Sequence, residues 1–203
     1  YPRRSIEWCL KEVGLAVEDL DGVAIASIHQ DYFHQLTRPG LWTVENYLQE
    51  QNRYWKPVLI EGLSLSYKDV MGHLVDRKQY PEWYWMDESR NDTTFSADRK
   101  TITARHLVIS EDKVITIEHH RAHAYYAYHA SPFRGRKVLA LTIDASGDGH
   151  NATIGVFDES GRYERLFGTN QCFIARYYRY MTLLLAMKPN EHEFKLMGLA
   201  PYG

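Results

Sequence analysis

Apolar positions in the first thirty residues follow two different periods. Ile6, Cys9, Leu10 and Val13 fall at i, i+3, i+4 and i+7, which predicts an amphipathic helix with Ser5 as its N-terminal cap and Gly14 at its C-terminal end. Val23 to Ile28 is a short apolar run and predicts a buried strand. Leu41 to Gln51 carries Val44, Tyr47 and Leu48 on one side of an expected helix, and Thr103 to Ser110 reads as another. Phe173 to Met187 is a third, with Tyr177, Tyr180, Met181 and Leu184 at helical spacing on a face that reads as core. Lys113 to Ile117 is a short strand. Val138 to Asp144, Asn151 to Phe157 and Tyr163 to Phe167 are β-rich runs separated by turns at 145–150 and 158–161, which predicts an antiparallel meander.

Between these elements, residues 52–100 are aromatic yet polar, with the run Tyr80-Pro-Glu-Trp-Tyr-Trp85 and a turn-rich tail from Asp87 to Asp98. The stretch reads either as a lid or acceptor-binding insertion or, preferably, as a surface subdomain packed on its own aromatics. No internal repeat or low-complexity tract interrupts the chain.

Composition narrows the class. With 203 residues, 44% of them hydrophobic, the chain can bury one sizeable core or parts of two. A net charge of −2 gives no electrostatic case for a nucleic-acid partner. No apolar run approaches the roughly 20 residues needed to span a bilayer, and no signal peptide is visible, so a reducing cytoplasm is the default compartment. Cys9 and Cys172 are too few and too far apart for a disulfide scaffold or a zinc knuckle.

Candidate chemistry concentrates in Ile117 to Gly149, where a histidine cluster precedes an apolar strand and a glycine-rich turn. If Glu118 to Tyr128 is helical, as Ala122, Ala124 and Ala127 favour, His119 and His123 project from one face with Cβ atoms roughly 6 Å apart. That separation suits two imidazoles on one ion, and zinc, iron, copper and nickel all accept imidazole. Surface or interface histidines would show the same i,i+4 spacing. His120 stands where H-E-x-x-H has its general base, which excludes the metalloprotease reading. On a helix His120 points about 100° from His119, and His129 lies almost two turns beyond His123, so neither is expected to touch the ion. The turn after Asp144, with Gly147 and Gly149, is neither a Walker A loop nor a Rossmann turn, because the glycines lead into a strand. It reads either as a plain hairpin or as a loop presenting backbone N–H groups to phosphate.

Taken together, HHRAHAYYAYHASPF, LTIDASGDGHNATI and KPNEHEFKLMGLAPYG resemble the O-carbamoyltransferases that decorate nodulation factors and antibiotics. The resemblance is dense from Glu118 to Gly203, looser over the first thirty residues, and slight from Asp31 to about Lys100. It implies an α/β fold, a fragment of the two-lobed actin-like superfold shared with sugar kinases and Hsp70. Residues 1–130 would be the later part of lobe one and 131–203 the first part of lobe two. It also implies transfer of a carbamoyl group from carbamoyl phosphate to a hydroxyl of a sugar-like or natural-product acceptor, through an ATP-derived carbamoyl adenylate. In that frame His119, His123 and Asp144 match the metal ligands, with Fe2+ the usual ion and zinc or manganese permitted. Gly147, Asp148 and Gly149 match the loop facing nucleotide phosphates. Glu191 and Lys195, in an E-x-x-K-x-M-G-L segment, match residues near the nucleotide, and Asp144 and Lys195 are the candidate catalytic groups. Glu191 and Lys195 would form an i,i+4 pair if Glu191 to Met197 is helical. Threonylcarbamoyl-transfer or hydrogenase-maturation enzymes of the same superfold, and a non-catalytic metal-binding or scaffolding protein, are the rival readings. A chain opening on a helix without an initiator Met, and closing at a helix terminus, is expected to be incomplete at both ends and inactive in isolation.

Overall fold

The computed structural model describes residues 2–28, 34, 36–76, 78 and 88–202, with the backbone alone at 88–95. The expected aromatic run Tyr80–Trp85 lies outside the described residues. Among the described residues the fold is mixed α/β, with one parallel pair of strands and one three-stranded antiparallel sheet. It divides into two compact units, the first of residues 1–30, 89–142 and 146–171, the second of 31–88, 143–145 and 172–203. Among the described residues no helix is long and apolar enough to cross a membrane.

The first unit opens on helix α1 (Arg3–Val13), which ends as its sequence predicts: Gly14 adopts the left-handed conformation at φ 68° and its N–H caps the last turn. Ser5 does not cap the start, because the helix begins two residues earlier, after Pro2. Strand β1 (Val23–Ala26) pairs in parallel with β2 (Val114–Ile117), Val23 opposite Val114 and Ala26 opposite Ile117, and Val114 is fully buried.

In the second unit, the described aromatics pack on one another. Helix α2 (Val44–Glu50) is capped by Thr43, whose hydroxyl accepts the Asn46 N–H, and runs on through a π-helical turn, Gln51–Trp55, into the short α3 (Lys56–Leu59). Helix α4 (Tyr67–Met71) follows. The Trp42 and Tyr47 rings meet edge to face at 5.0 Å, as do Tyr54 and Tyr67 at 4.8 Å. Glu50 is buried among them, its carboxylate accepting from the Tyr67 hydroxyl at 2.8 Å and from Arg179 at 2.5 Å.

Returning to the first unit, the tail expected to be turn-rich is helical. Helix α5 runs from Glu88 to Leu107, twenty residues, far beyond the expected Thr103–Ser110. Tertiary anchoring overrides weak local propensity: Arg99 donates to the carbonyls of Ala26 and Ser27, and Thr103, Ala104 and Leu107 are buried.

Helix α6 (His119–Ala130) packs on the sheet of β3 (Val138–Gly147), β4 (His150–Phe157) and β5 (Tyr163–Thr169), in the order β3-β4-β5. The expected meander is present. Its core joins Ala124 and Tyr128 of α6 to Phe157 of β4 and Tyr163 of β5, and the Tyr128 and Phe157 rings stack at 4.2 Å and 4°. Gly155 lies directly under Tyr163, whose ring a Cβ there would meet at 2.3 Å. The last two helices, in the second unit, are α7 (Tyr177–Leu184) and α8 (Glu193–Leu199). Because Phe157 is wholly enclosed, Phe157→Ala is expected to cost about 3–5 kcal/mol in urea unfolding. A loss under about 1 kcal/mol would mean this cluster is not the core of the unit.

Candidate metal centre

The two faces of α6 have separate tasks. Glu118 caps the helix by accepting the Arg121 N–H at 2.7 Å and also pairs with Arg165. His120, Ala124 and Tyr128, at i, i+4 and i+8, form the buried stripe. His119 and His123, one residue earlier in phase, share the neighbouring face. Their Nε2 atoms are 3.1 Å apart and their rings meet edge to face.

Strand β3 brings a carboxylate to the same place. Thr142 touches α6, and Asp144, two residues on, points to the same side because side chains alternate along a strand. Residues 143–145 lie in the middle of β3, with first-unit residues on either side, so the strand itself carries Asp144 to the histidines. Ligand atoms of His119, His123 and Asp144 all lie within 4.8 Å of one another. Two nitrogens on one tetrahedral ion with bonds of ~2.0–2.1 Å stand roughly 3.3 Å apart, so two imidazoles and a carboxylate in this arrangement fit a divalent metal. Asp144 also accepts its neighbour Ala145's N–H at 2.6 Å.

After Asp144 the chain turns through two residues, Asp148 and Gly149, at φ 47° and 81°. Positive φ at both central positions suits a tight hairpin of the Asp-Gly kind. The Asp148 carboxylate faces the protein: one oxygen accepts from the Ser27 hydroxyl at 3.0 Å, the other from the N–H groups of Ile28 at 2.8 Å and His119 at 2.7 Å. Arg99 lies in its field. Burial lowers the Arg99 pKa from its ordinary value, and the negative charge of Asp148 pulls the other way.

Glu191 and Lys195 take a different arrangement from the expected pair. Helix α8 starts at Glu193, whose carboxylate accepts the Asn190 N–H at 2.7 Å, so Glu191 lies ahead of it. Its partner is Lys188, at 2.5 Å. Lys195 is exposed on α8 with its Nζ 5.9 Å from the Phe194 ring centroid.

The full chain, residues 1–203, matches the family described as carbamoyltransferase N-terminus. The chain belongs to that family. It is also similar to an uncharacterized protein of Synechocystis sp., 26% identical over 208 residues that cover all of this chain and 28% of that protein. An uncharacterized protein of Methanocaldococcus jannaschii is 31% identical over 99 residues, 42% of this chain and 16% of that protein. This carbamoyltransferase N-terminal chain thus spans well under half the length of the curated relatives it matches.

His120 is the residue whose importance the spacing argument missed. It is fully buried, with Nδ1 2.8 Å from the Thr142 hydroxyl and Nε2 3.1 Å from the His150 carbonyl. Facing a carbonyl, Nε2 donates, and on the other side the Thr142 hydroxyl links Nδ1 to the Thr153 hydroxyl, 2.7 Å further on. Its phase with Ala124 and Tyr128 was the available signal. His120→Ala leaves a cavity and unpaired groups and is expected to destabilise by about 2–4 kcal/mol, unlike His129→Ala at an exposed position. Equal melting temperatures for the two variants would contradict this account of the helix.

Proposed function

We propose that the complete protein transfers a carbamoyl group from carbamoyl phosphate to a hydroxyl of a small sugar-like or natural-product acceptor, with ATP as co-substrate and a carbamoyl adenylate as intermediate. The observation that carries the reading is the convergence of His119, His123 and Asp144 in a chain of the carbamoyltransferase N-terminal family. The β3-β4-β5 meander beside a parallel pair supports an actin-like reading of the fold, with lobe one at residues 1–130 and lobe two from 131.

In this reading His119, His123 and Asp144 hold a divalent metal, Fe2+ by family expectation. When bound, such an ion supplies positive charge against anionic phosphate oxygens. Gly147, Asp148 and Gly149 are assigned to the nucleotide through the backbone of their turn, since the Asp148 carboxylate is engaged by protein donors. Glu191 and Lys195 are assigned to it by motif position. The Lys195 ammonium is suited to neutralising a phosphate. Enclosure of the adenylate away from water protects it from hydrolysis before the acceptor arrives.

In the full-length protein, His119→Ala and His123→Ala are expected to lower bound metal at least about tenfold, by elemental analysis, and to abolish carbamoyl transfer. Metal content equal to wild type in both would remove the ligand assignment. Asp144→Asn keeps the size of the side chain and removes its charge. Turnover should fall at least about 100-fold with the melting temperature nearly unchanged. A lower melting temperature with full activity per folded molecule would make Asp144 a structural residue only.

A further inference from the structure

His119 is fixed from beneath and from behind by one turn of the chain. Its imidazole lies against the bare Cα of Gly147: a Cβ built there would stand 2.1 Å from Cγ and Cδ2 of the ring and 2.7 Å from Nδ1. No larger residue fits without displacing the ring, and the ring cannot swing away without losing the 3.1 Å approach of its Nε2 to His123. The next residue holds the backbone of the same histidine, because the Asp148 carboxylate accepts the His119 N–H at 2.7 Å. That carboxylate is anchored by Ile28 and by Ser27, a buried residue in the left-handed region at φ 73°. Arg99 braces the Ser27 carbonyl at 3.1 Å.

We infer that Gly147 and Asp148 are positioning residues for His119, and that the hairpin turn aims this imidazole at its partner His123. The idea rests on the metal reading for its functional consequence, but the placement of the ring can be observed with or without metal. Gly147 is then a glycine because a ring needs the space of its missing side chain. Asp148 acts through hydrogen-bond geometry. An Asn at 148 can keep that geometry, with its oxygen toward the two N–H groups and its amide toward the Ser27 hydroxyl, whereas Ala cannot.

The test uses the full-length protein with Gly147→Ala, Asp148→Ala, Asp148→Asn and, as a control elsewhere on the sheet, Gly155→Ala. In metal-free wild type, one Gly147 Hα should be shifted upfield by the ring and show a nuclear Overhauser effect to His119 Hδ2. Both signatures should be lost in Asp148→Ala, and the His119 ring resonances should move in Gly147→Ala. Asp148→Asn and Gly155→Ala should retain the wild-type pattern even if Gly155→Ala melts earlier. Co2+ titration should show affinity reduced about 10–100-fold in Gly147→Ala and Asp148→Ala and close to wild type in Asp148→Asn. Failure of wild type to bind Co2+ with the ring signatures intact would reject the metal reading and leave the positioning role standing. Absence of the contact in wild type would overturn it. So would unchanged His119 signals in both Gly147→Ala and Asp148→Ala, or a loss in Asp148→Asn equal to that in Asp148→Ala. If Gly147→Ala does not fold, the Asp148 pair decides.

Discussion

The carboxylate of Asp148 is the contact on which the geometry of the first unit depends. It gathers donors from the end of β1 and from the first residue of α6, while its own backbone makes the β3–β4 turn. Hydrogen bonds to an ionised acceptor are each worth on the order of 1.5–3 kcal/mol, more than neutral ones, and a helix N-terminus favours negative charge. One partly buried group therefore joins the parallel pair, the histidine helix and the antiparallel sheet. Glu118 satisfies a second N–H of the same helix end. Two carboxylates thus close the N-terminus of α6 and set its rotation over the sheet.

That rotation explains why three histidines within five residues have such different fates. His120 turns down into the sheet and becomes a buried, hydrogen-bonded core residue, with Ala124 and Tyr128 continuing the stripe. His119 and His123, about 100° and 60° from His120 round the helix, are left beside the edge of that packing, near Asp144. The packed stripe makes the helix rigid at the point where the donor set forms. Chemistry at the pair borrows its precision from the core behind it.

Of the two readings of the turn, the hairpin is the one its backbone shows. It is a tight hairpin by its φ angles, and its Asp-Gly pair is what such a hairpin requires. Its side-chain carboxylate is directed into the protein, so any contact with phosphate belongs to its backbone. The second unit shows a similar economy around a buried acid, where Glu50 is neutralised by Arg179 and bonded to Tyr67 rather than left exposed.

The amino-acid sequence by itself determined the features that depend on short-range spacing. The i,i+4 pair of His119 and His123, the glycine end of α1 and the three strands of the meander follow from periods of 3.6 and 2 and from turn residues a few positions apart. The family resemblance, carried by three dense motifs, agrees with the match over residues 1–203. Tertiary structure alone decided the rest. Asp148 bonds to residues 29 and 120 positions away, and no local pattern encodes such a partner. Helix α5 forms despite the weak helix preference of Asn91, Asp92 and Thr93, and Arg99 ties it to β1 across 73 positions of the chain. Glu191 lost its expected helix partner because the helix starts only at Glu193, two residues later, and Lys188 meets its carboxylate instead. The first two turn on hydrogen bonds whose partners the chain supplies only after folding, and a buried polar group binds whichever donor the packing brings to it.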